Sequence, residues 1–359
     1  MMDENMKIAV IAEIAPAKAF VPVLEKIDAE IIGLTHGHGA DELLRPFCSE
    51  MYSIGKSRGR GAEKRSKAKI AALVLEDVIS TIKALRGKNI DLLLTCGNAG
   101  DVRKGIAAAK YLGIKDLHIE QDFYNPIEMI AFSNLLTVPS KHYRDFLAEH
   151  YDIHNSTIIG GYPMASYVNK MQLNDPDTLK EKYDDFLLLV FGGDVQGKDI
   201  PKIIKVVEKL EKRILIVPFR FDASYVKNLV KSKKIEVLEG YVDLLSLMNA
   251  SSGMIYGAGM GLTVEAGVLE IPSIKLAGFH RQHSSVDLAN ELGIRITEIE
   301  EIPQIIDDLR KPKGKWLIKE GEKSVSNIIT LINNFDALKG KHGGIKSFRK
   351  IWKARSQFR

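Results

Sequence analysis

Cysteine is nearly absent from this chain. Only Cys48 and Cys96 occur in 359 residues, far apart and in no metal-ligand spacing, which excludes a disulfide scaffold and a thiolate metal centre and fits a reducing compartment. Long apolar runs are missing too. None reaches the roughly 18 residues of a membrane span, and the acidic start MMDENMK leads at once into an apolar run, unlike a signal peptide. A cytoplasmic protein is expected. The formal net charge of +5 is too small to imply nucleic acid, and no RNA-binding motif accompanies it.

What is present is an ordinary globular composition, 45% hydrophobic and 27% charged, long enough for two domains. Short apolar, β-branched runs alternate with helical stretches: 7–14, 29–35, 90–96, 116–121 and 134–140, then 185–193, 213–219, 235–241, 252–258 and 272–277. Such alternation predicts parallel sheets with helices on both faces. The punctuating segment IIGGYPMASYV (158–168) separates the two series. The expected fold is α/β, with two doubly wound Rossmann-like domains facing across a cleft: 1–160, 161–335, and a basic tail over 336–359. The 158–168 linker is the expected hinge.

Ligands of open parallel sheets bind beyond the carboxyl ends of the strands. In the first domain these ends carry Glu13 to Pro16, Thr35 to His38, Gly97 with Asn98, and His118 to Asp122. In the second they carry FGGDVQGK (191–198), Phe219 with Arg220, Tyr241, and YGAGMGLTVEAGVLEIPS (256–273). The last stretch reads as strand, glycine turn, helix and strand. Gly257, Gly259 and Gly261 let a ligand approach the free N–H groups of a helix start, where a diphosphate fits. Glu265, one turn in, is placed to accept hydrogen bonds from a pair of ribose hydroxyls. The same turn also serves a helix that only packs tightly, so the spacing alone does not decide.

Residues 236–294 resemble the donor-binding half of UDP-sugar enzymes with the GT-B fold. In the GlcNAc transferases that make the lipid intermediate of peptidoglycan, L-T-V lies close to a ribose-binding glutamate, and a proline follows seven residues after it. Thr263, Glu265 and Pro272 match that pattern, while Gln282 and His283 stand where a later histidine-glutamine pair would be, in reversed order. Gly192, Gly193 and Lys198 resemble a second glycine loop that helps hold the donor diphosphate, with Arg220 as a further cation. Such cations offset charge on departing UDP.

The non-hydrolysing UDP-GlcNAc 2-epimerases resemble the chain through both halves. Thr35-x-x-His38 is similar to their T-x-x-H, His118-Ile119-Glu120 to their H-x-E, and Glu128 lies near their second glutamate. The chain departs from them at IAPAKAF (14–20), where they have R-P-E, at Asn98, where they have aspartate, and at Gly192 and Gly193, where they have histidine. These departures remove proton-moving groups that epimerisation needs.

Two activities therefore stay open. The first is transfer of a sugar, an N-acetylhexosamine by resemblance, from a UDP-sugar to a hydroxyl acceptor, with Glu120 or His38 as base and Asn98 beside them. The other is epimerisation or hydrolysis of the UDP-sugar. A non-catalytic UDP-sugar-binding protein is a further alternative. No metal and no cofactor beyond the donor is called for, because helix N-termini and cations can take a metal's place. The basic tail KGKHGGIKSFRKIWKARSQFR would set Ile345, Phe348 and Trp352 on one helix side. That pattern suits either an anionic membrane surface at the cytoplasmic face, with a lipid-linked acceptor, or a helix packed on the first domain.

Overall fold

The computed structural model describes residues 6–37, 39–55, 67–98, 100–219, 221–240, 242–278, 282–336 and 343–356. Described residues through Tyr167 and from Lys319 onward make one compact unit, and Val168–Ile318 make the other. The chain leaves the first unit within the helix Pro163–Lys170 and returns to it within the helix Trp316–Asn333.

The first unit holds β1 (Lys7–Ile11), β2 (Glu30–Thr35), β3 (Glu50–Ser53), β4 (Leu92–Cys96), β5 (Lys115–Ile119), β6 (Leu135–Val138) and β7 (Ser156–Ile158). They form one sheet in the order β3-β2-β1-β4-β5-β6-β7. The second unit holds β8 (Leu187–Phe191), β9 (Ile214–Val217), β10 (Ile235–Val237), β11 (Gly253–Gly257), β12 (Ser273–Leu276) and β13 (Arg295–Thr297), in the order β10-β9-β8-β11-β12-β13. All pairings are parallel. Helices cover such sheets on both faces, so central strands read as unbroken apolar runs: LLLTC and LLLVF are buried at every residue.

Ten strands coincide with the apolar runs of the sequence. β3, β7 and β13 do not, because EMYS, STI and RIT are short, half polar and partly exposed edge strands. The strand order fixes the site. Each sheet grows one way from its first strand and then resumes on that strand's other side, so the order reverses between β1 and β4 and again between β8 and β11. At such a reversal the flanking connections diverge and leave a crevice beyond the strand ends.

The tail forms the helix Gly344–Ser356, which lies on the first unit. Ile351 is fully buried in the core with Val138, Tyr143 and Leu147, and Phe348 packs against Phe132 with ring centroids 5.6 Å apart. Arg355 donates to the carbonyls of Asn125 and Pro126 at 2.6 and 2.8 Å. Lys346 and Lys350 pair with Asp152 at 2.6 and 3.1 Å and hold its carboxyl below the usual range. The aromatic side expected of this helix is thus divided. Phe348 faces protein, whereas Ile345 and Trp352 are 63% and 47% exposed. Ile351→Ala should lower stability by about 2–5 kcal/mol, as buried large-to-small changes do. Trp352→Ala should cost less, and urea denaturation of the two variants measures the difference.

Candidate functional site

In the second unit the reversal between β8 and β11 is closed by backbone. The Gly257 carbonyl, last in β11, accepts the N–H of Gly192 at 3.0 Å and that of Asp194 at 3.2 Å. This draws the loop after β8 onto the turn after β11. Such contact leaves no room for side chains: a Cβ on Gly192 would lie 2.3 Å from that of Ala258, and one on Gly257 would lie 2.3 Å from Val195 Cγ2.

Other glycines of the two loops have no such reason. A Cβ on Gly193 would meet nothing within 4 Å, and one on Gly259 would meet only the His283 ring, at 3.4 Å. Both residues are half-buried, and neither has a positive φ. Packing does not require glycine at either place. What the missing side chains leave is bare backbone at the start of the helix Met260–Val268, where an anion can approach N–H groups.

A buried lysine braces this arrangement from below. Lys275 of β12, 1% exposed, donates to Asp194 Oδ2 at 3.0 Å and to the Ala258 carbonyl, and its ammonium lies 5.4 Å from the Tyr256 ring centroid. One side chain therefore ties both glycine loops to β12. Gly278 packs against the same aspartate, since a Cβ there would lie 2.6 Å from Asp194 Cβ. Tyr256 donates to Thr263 Oγ1 at 3.2 Å, and burial raises its phenol above the ordinary value.

The remaining second-unit residues separate in accessibility. Thr263 is fully buried and its hydroxyl donates to the Gly259 carbonyl at 3.1 Å, so it serves the turn itself. Glu265 lies on the second turn of the same helix and is 3% exposed. Gly261 is half-buried and Lys198 is exposed. Gln282 is exposed, whereas its neighbour His283 is buried with its ring against Gly259. His283 Nδ1 accepts the Ser285 N–H at 3.0 Å and so caps the helix Ser284–Leu292, which leaves Nε2 as the ring's N–H when the imidazole is neutral. The sequence marked this pair only by its reversed order. Arg220 lies outside the described residues.

In the first unit the strand ends carry acids as well as glycines. Glu120 is fully buried: Oε1 accepts the N–H groups of Gln121 and Asp122 at 2.9 and 2.8 Å, and Oε2 lies 3.3 Å from His118 Nε2. With Glu120 as the acceptor, His118 Nε2–H donates to Oε2, so His118 Nδ1, 2.9 Å from Thr95 Oγ1, accepts the threonine hydroxyl. Asn98 donates to Asp122 Oδ2 at 3.0 Å. Glu120 and Asn98 are thus brought into one network, and its internal bonds occupy both oxygens of Glu120. His38 lies outside the described residues, as does 56–66 of the basic loop.

Glu128 is buried in a two-pronged pair with Arg103. Burial alone would raise its carboxyl, but Arg103, with Arg355 beyond, holds it below the usual range. A second cluster lies nearby in sequence: Lys104, 5% exposed, donates to His36 Nε2 and to Asp77 Oδ2, each at 2.7 Å.

Asp101, on the first turn of the helix Gly100–Leu112, spans the reversal between β1 and β4. Its Oδ2 accepts the Glu13 N–H at 3.0 Å, while its buried Oδ1 has no partner. Burial first, and then the Glu13 charge, push this carboxyl up to about 7, with Lys104 opposing them. Glu120 and Asp101 both act on the fully buried Cys96, whose thiol is raised chiefly by burial. Among the described residues no group of three or more His, Cys, Asp and Glu could hold a metal ion, and no helix is long and apolar enough to cross a membrane.

Comparison with known proteins gives the fold its place. Residues 155–336 match the model of a family described as Protein of unknown function (DUF354). No curated protein sequence matches the chain. Among solved structures, a Methanocaldococcus jannaschii UDP-GlcNAc 2-epimerase in complex with UDP-GlcNAc and UDP is similar with a TM-score of 0.70 at 18% identity, over 90% of this chain and 99% of that one. The Neisseria meningitidis UDP-GlcNAc 2-epimerase bound to UDP-GlcNAc is similar with a TM-score of 0.70 at 15% identity, over 90% of this chain and 100% of that one. CalG4, a calicheamicin glycosyltransferase, gives 0.55 at 12% identity, over 94% of this chain and 99% of that one. The two-domain fold is that of GT-B proteins.

Two outcomes follow from these geometries. Lys275→Met takes the buried ammonium away from the Asp194 carboxylate and should cost about 3–5 kcal/mol, with Asp194→Asn in the same chain recovering part of it; denaturant titration of the single and double variants checks this. Asp101 has its folded value raised, so the stability it provides is full below about 3.8 and is lost as pH climbs towards about 7. Asp101→Asn keeps an acceptor for the Glu13 N–H but cannot ionise. Its stability relative to wild type should therefore rise across that window, by at most about 4 kcal/mol, and level off above it; urea midpoints measured from pH 4 to 8 give the curve.

Proposed function

Because the chain belongs to the DUF354 family, whose description carries no activity, we propose its function from the site: it is an enzyme acting on a UDP-sugar, with the second unit holding the UDP. The observation that carries this reading is the pair of glycines, Gly193 and Gly259, that packing does not require, set on loops fastened together at the β8/β11 reversal. Bare N–H groups at the start of the helix Met260–Val268 suit the diphosphate. Glu265 is the proposed ribose ligand, and Lys198 a cation for the departing diphosphate.

Transfer of the sugar to a hydroxyl acceptor is the first reading. Asn98, which cannot exchange protons as a carboxylate does, and the two glycines after β8 leave the chain without groups that reversible loss and return of UDP would use. Epimerisation or hydrolysis of the UDP-sugar is the second reading, favoured by the similarity in fold to two UDP-GlcNAc 2-epimerases over nine-tenths of the chain. A lipid-linked acceptor suits the exposed Ile345 and Trp352 among the basic residues of the last helix.

Calorimetry of UDP, UDP-GlcNAc and GDP against wild type and Glu265→Ala tests the donor. The uridine nucleotides should bind, GDP should not, and the variant should lose about 1–3 kcal/mol as a charged hydrogen bond is removed. Absence of binding by UDP and UDP-GlcNAc would falsify the reading. Product analysis in heavy water separates the activities: deuterium at sugar C2 marks epimerisation, and UDP release that depends on added acceptor marks transfer.

A further inference from the structure

We propose that Lys275 is a positioning residue for the second unit's nucleotide site: without meeting the ligand, it turns the peptide between Ala258 and Gly259 so that the Gly259 N–H is presented to the diphosphate. The inference rests on the UDP-sugar reading and adds to it the side chain that sets the grip on phosphate.

Strand register places the lysine. Lys275 of β12 stands beside Tyr256 of β11, while Ile255, Ile274 and Leu276, next to them in sequence, belong to the apolar core with Leu189 and Phe191 on the other face of the sheet. A lysine that is 1% exposed needs acceptors for its ammonium at the end of a long stem. It has two: Asp194 Oδ2 at 3.0 Å and the carbonyl of Ala258, the residue after the last of β11. The Tyr256 ring, with its centroid 5.4 Å away, is a third neighbour.

Peptide geometry turns that anchor into a binding device. The described chain has no cis peptide bond, and in a trans peptide the carbonyl of one residue and the N–H of the next point in opposite directions. With the Ala258 oxygen drawn to the Lys275 ammonium, the Gly259 N–H points away from it. Among the described residues that N–H has no hydrogen-bond partner, and the side chain that Gly259 lacks would have met only the His283 ring. The following peptide is fixed as well. Its carbonyl, that of Gly259, accepts the Thr263 hydroxyl at 3.1 Å, and Thr263 Oγ1 in turn accepts from Tyr256 at 3.2 Å. Two successive carbonyls are thus tied to donors on buried side chains, and the N–H groups that follow them are set at the start of the helix Met260–Val268. Donors fixed in advance bind an anion without the cost of ordering a loop. Without the ammonium, the Ala258 peptide, with Gly257 and Gly259 on either side, has the freedom that glycines allow.

Lys275→Met keeps the stem and removes the donors. UDP affinity, measured by calorimetry on the full chain, should fall at least about 10-fold, as loss of a fixed hydrogen bond to a charged group implies. Uridine affinity, from NMR titration, should stay within about twofold of wild type, because uridine brings no phosphate to the helix start. A role confined to stability lowers both or neither. Adding Asp194→Asn recovers stability but restores no ammonium to the Ala258 carbonyl, so the double variant should bind UDP as weakly as the single one. A measurement on wild type holds even where neither variant folds: the Gly259 amide proton should move downfield in the NMR spectrum with UDP and stay in place with uridine. UDP bound by Lys275→Met as by wild type, an equal loss of uridine, or UDP affinity that returns with stability in the double variant overturns the inference. So does a Gly259 amide that bound UDP leaves unmoved, and in each of these cases the UDP-sugar reading stands. Failure of wild type to bind UDP in calorimetry removes both.

Discussion

The Gly257 carbonyl is the point on which the second unit's site depends. It accepts two N–H groups from the loop after β8, which forces two loops into contact at a distance only glycine permits. Everything around that contact compensates for its cost. Two backbone hydrogen bonds alone are worth about 1 kcal/mol each and could not fix loops of this glycine content against their conformational freedom. The Lys275 ammonium supplies the remainder by holding Asp194 on one loop and the Ala258 carbonyl on the other. A buried ion pair adds little net stability compared with an apolar substitute, but it is directional. It fits a site that must present backbone at a set spacing.

The first unit solves a similar closing problem with side chains. Its strand ends are tied by Asp101 to Glu13, Asn98 to Asp122, and Glu120 to the N–H groups of its own loop. Each acceptor is a carboxylate, and most are fully buried. Burial first, and then the Glu13 charge, raise the cost of ionising Asp101.

Much of this architecture is legible from the sequence because parallel sheets encode central strands as continuous apolar runs. LLLTC and LLLVF are examples, and the glycine turn before Leu262 follows directly from the strand that ends at Gly257. The edge strands are not legible, since EMYS, STI and RIT carry the polar residues that unpaired edges favour. Site residues are readable as positions and not as states. Glu120 can be placed at a strand end, but nothing in H-I-E shows that its oxygens turn back onto Gln121 and Asp122. Lys275 offered one signal, a lysine within an otherwise apolar strand, yet its partner lies 81 residues earlier in sequence. Asp101 reads as an ordinary acid on a helix's first turn, and only the fold brings it to Glu13.

Strand order alone does not determine what a crevice holds. Both sheets reverse in the same way, and what differs is the residue that ends each strand pair. After β8 and β11 the chain offers glycines and a helix start, so the local field is positive and the surface is backbone. After β1 and β4 the chain also enters helices, Ile14–Leu24 and Gly100–Leu112, but an acid stands at each start, Glu13 or Asp101, and further acids follow β5. A diphosphate brought there would meet carboxylates, with Lys104 already committed to His36 and Asp77. The acids at the first unit's strand ends therefore disfavour an anion there, a difference that lies in side chains and not in topology.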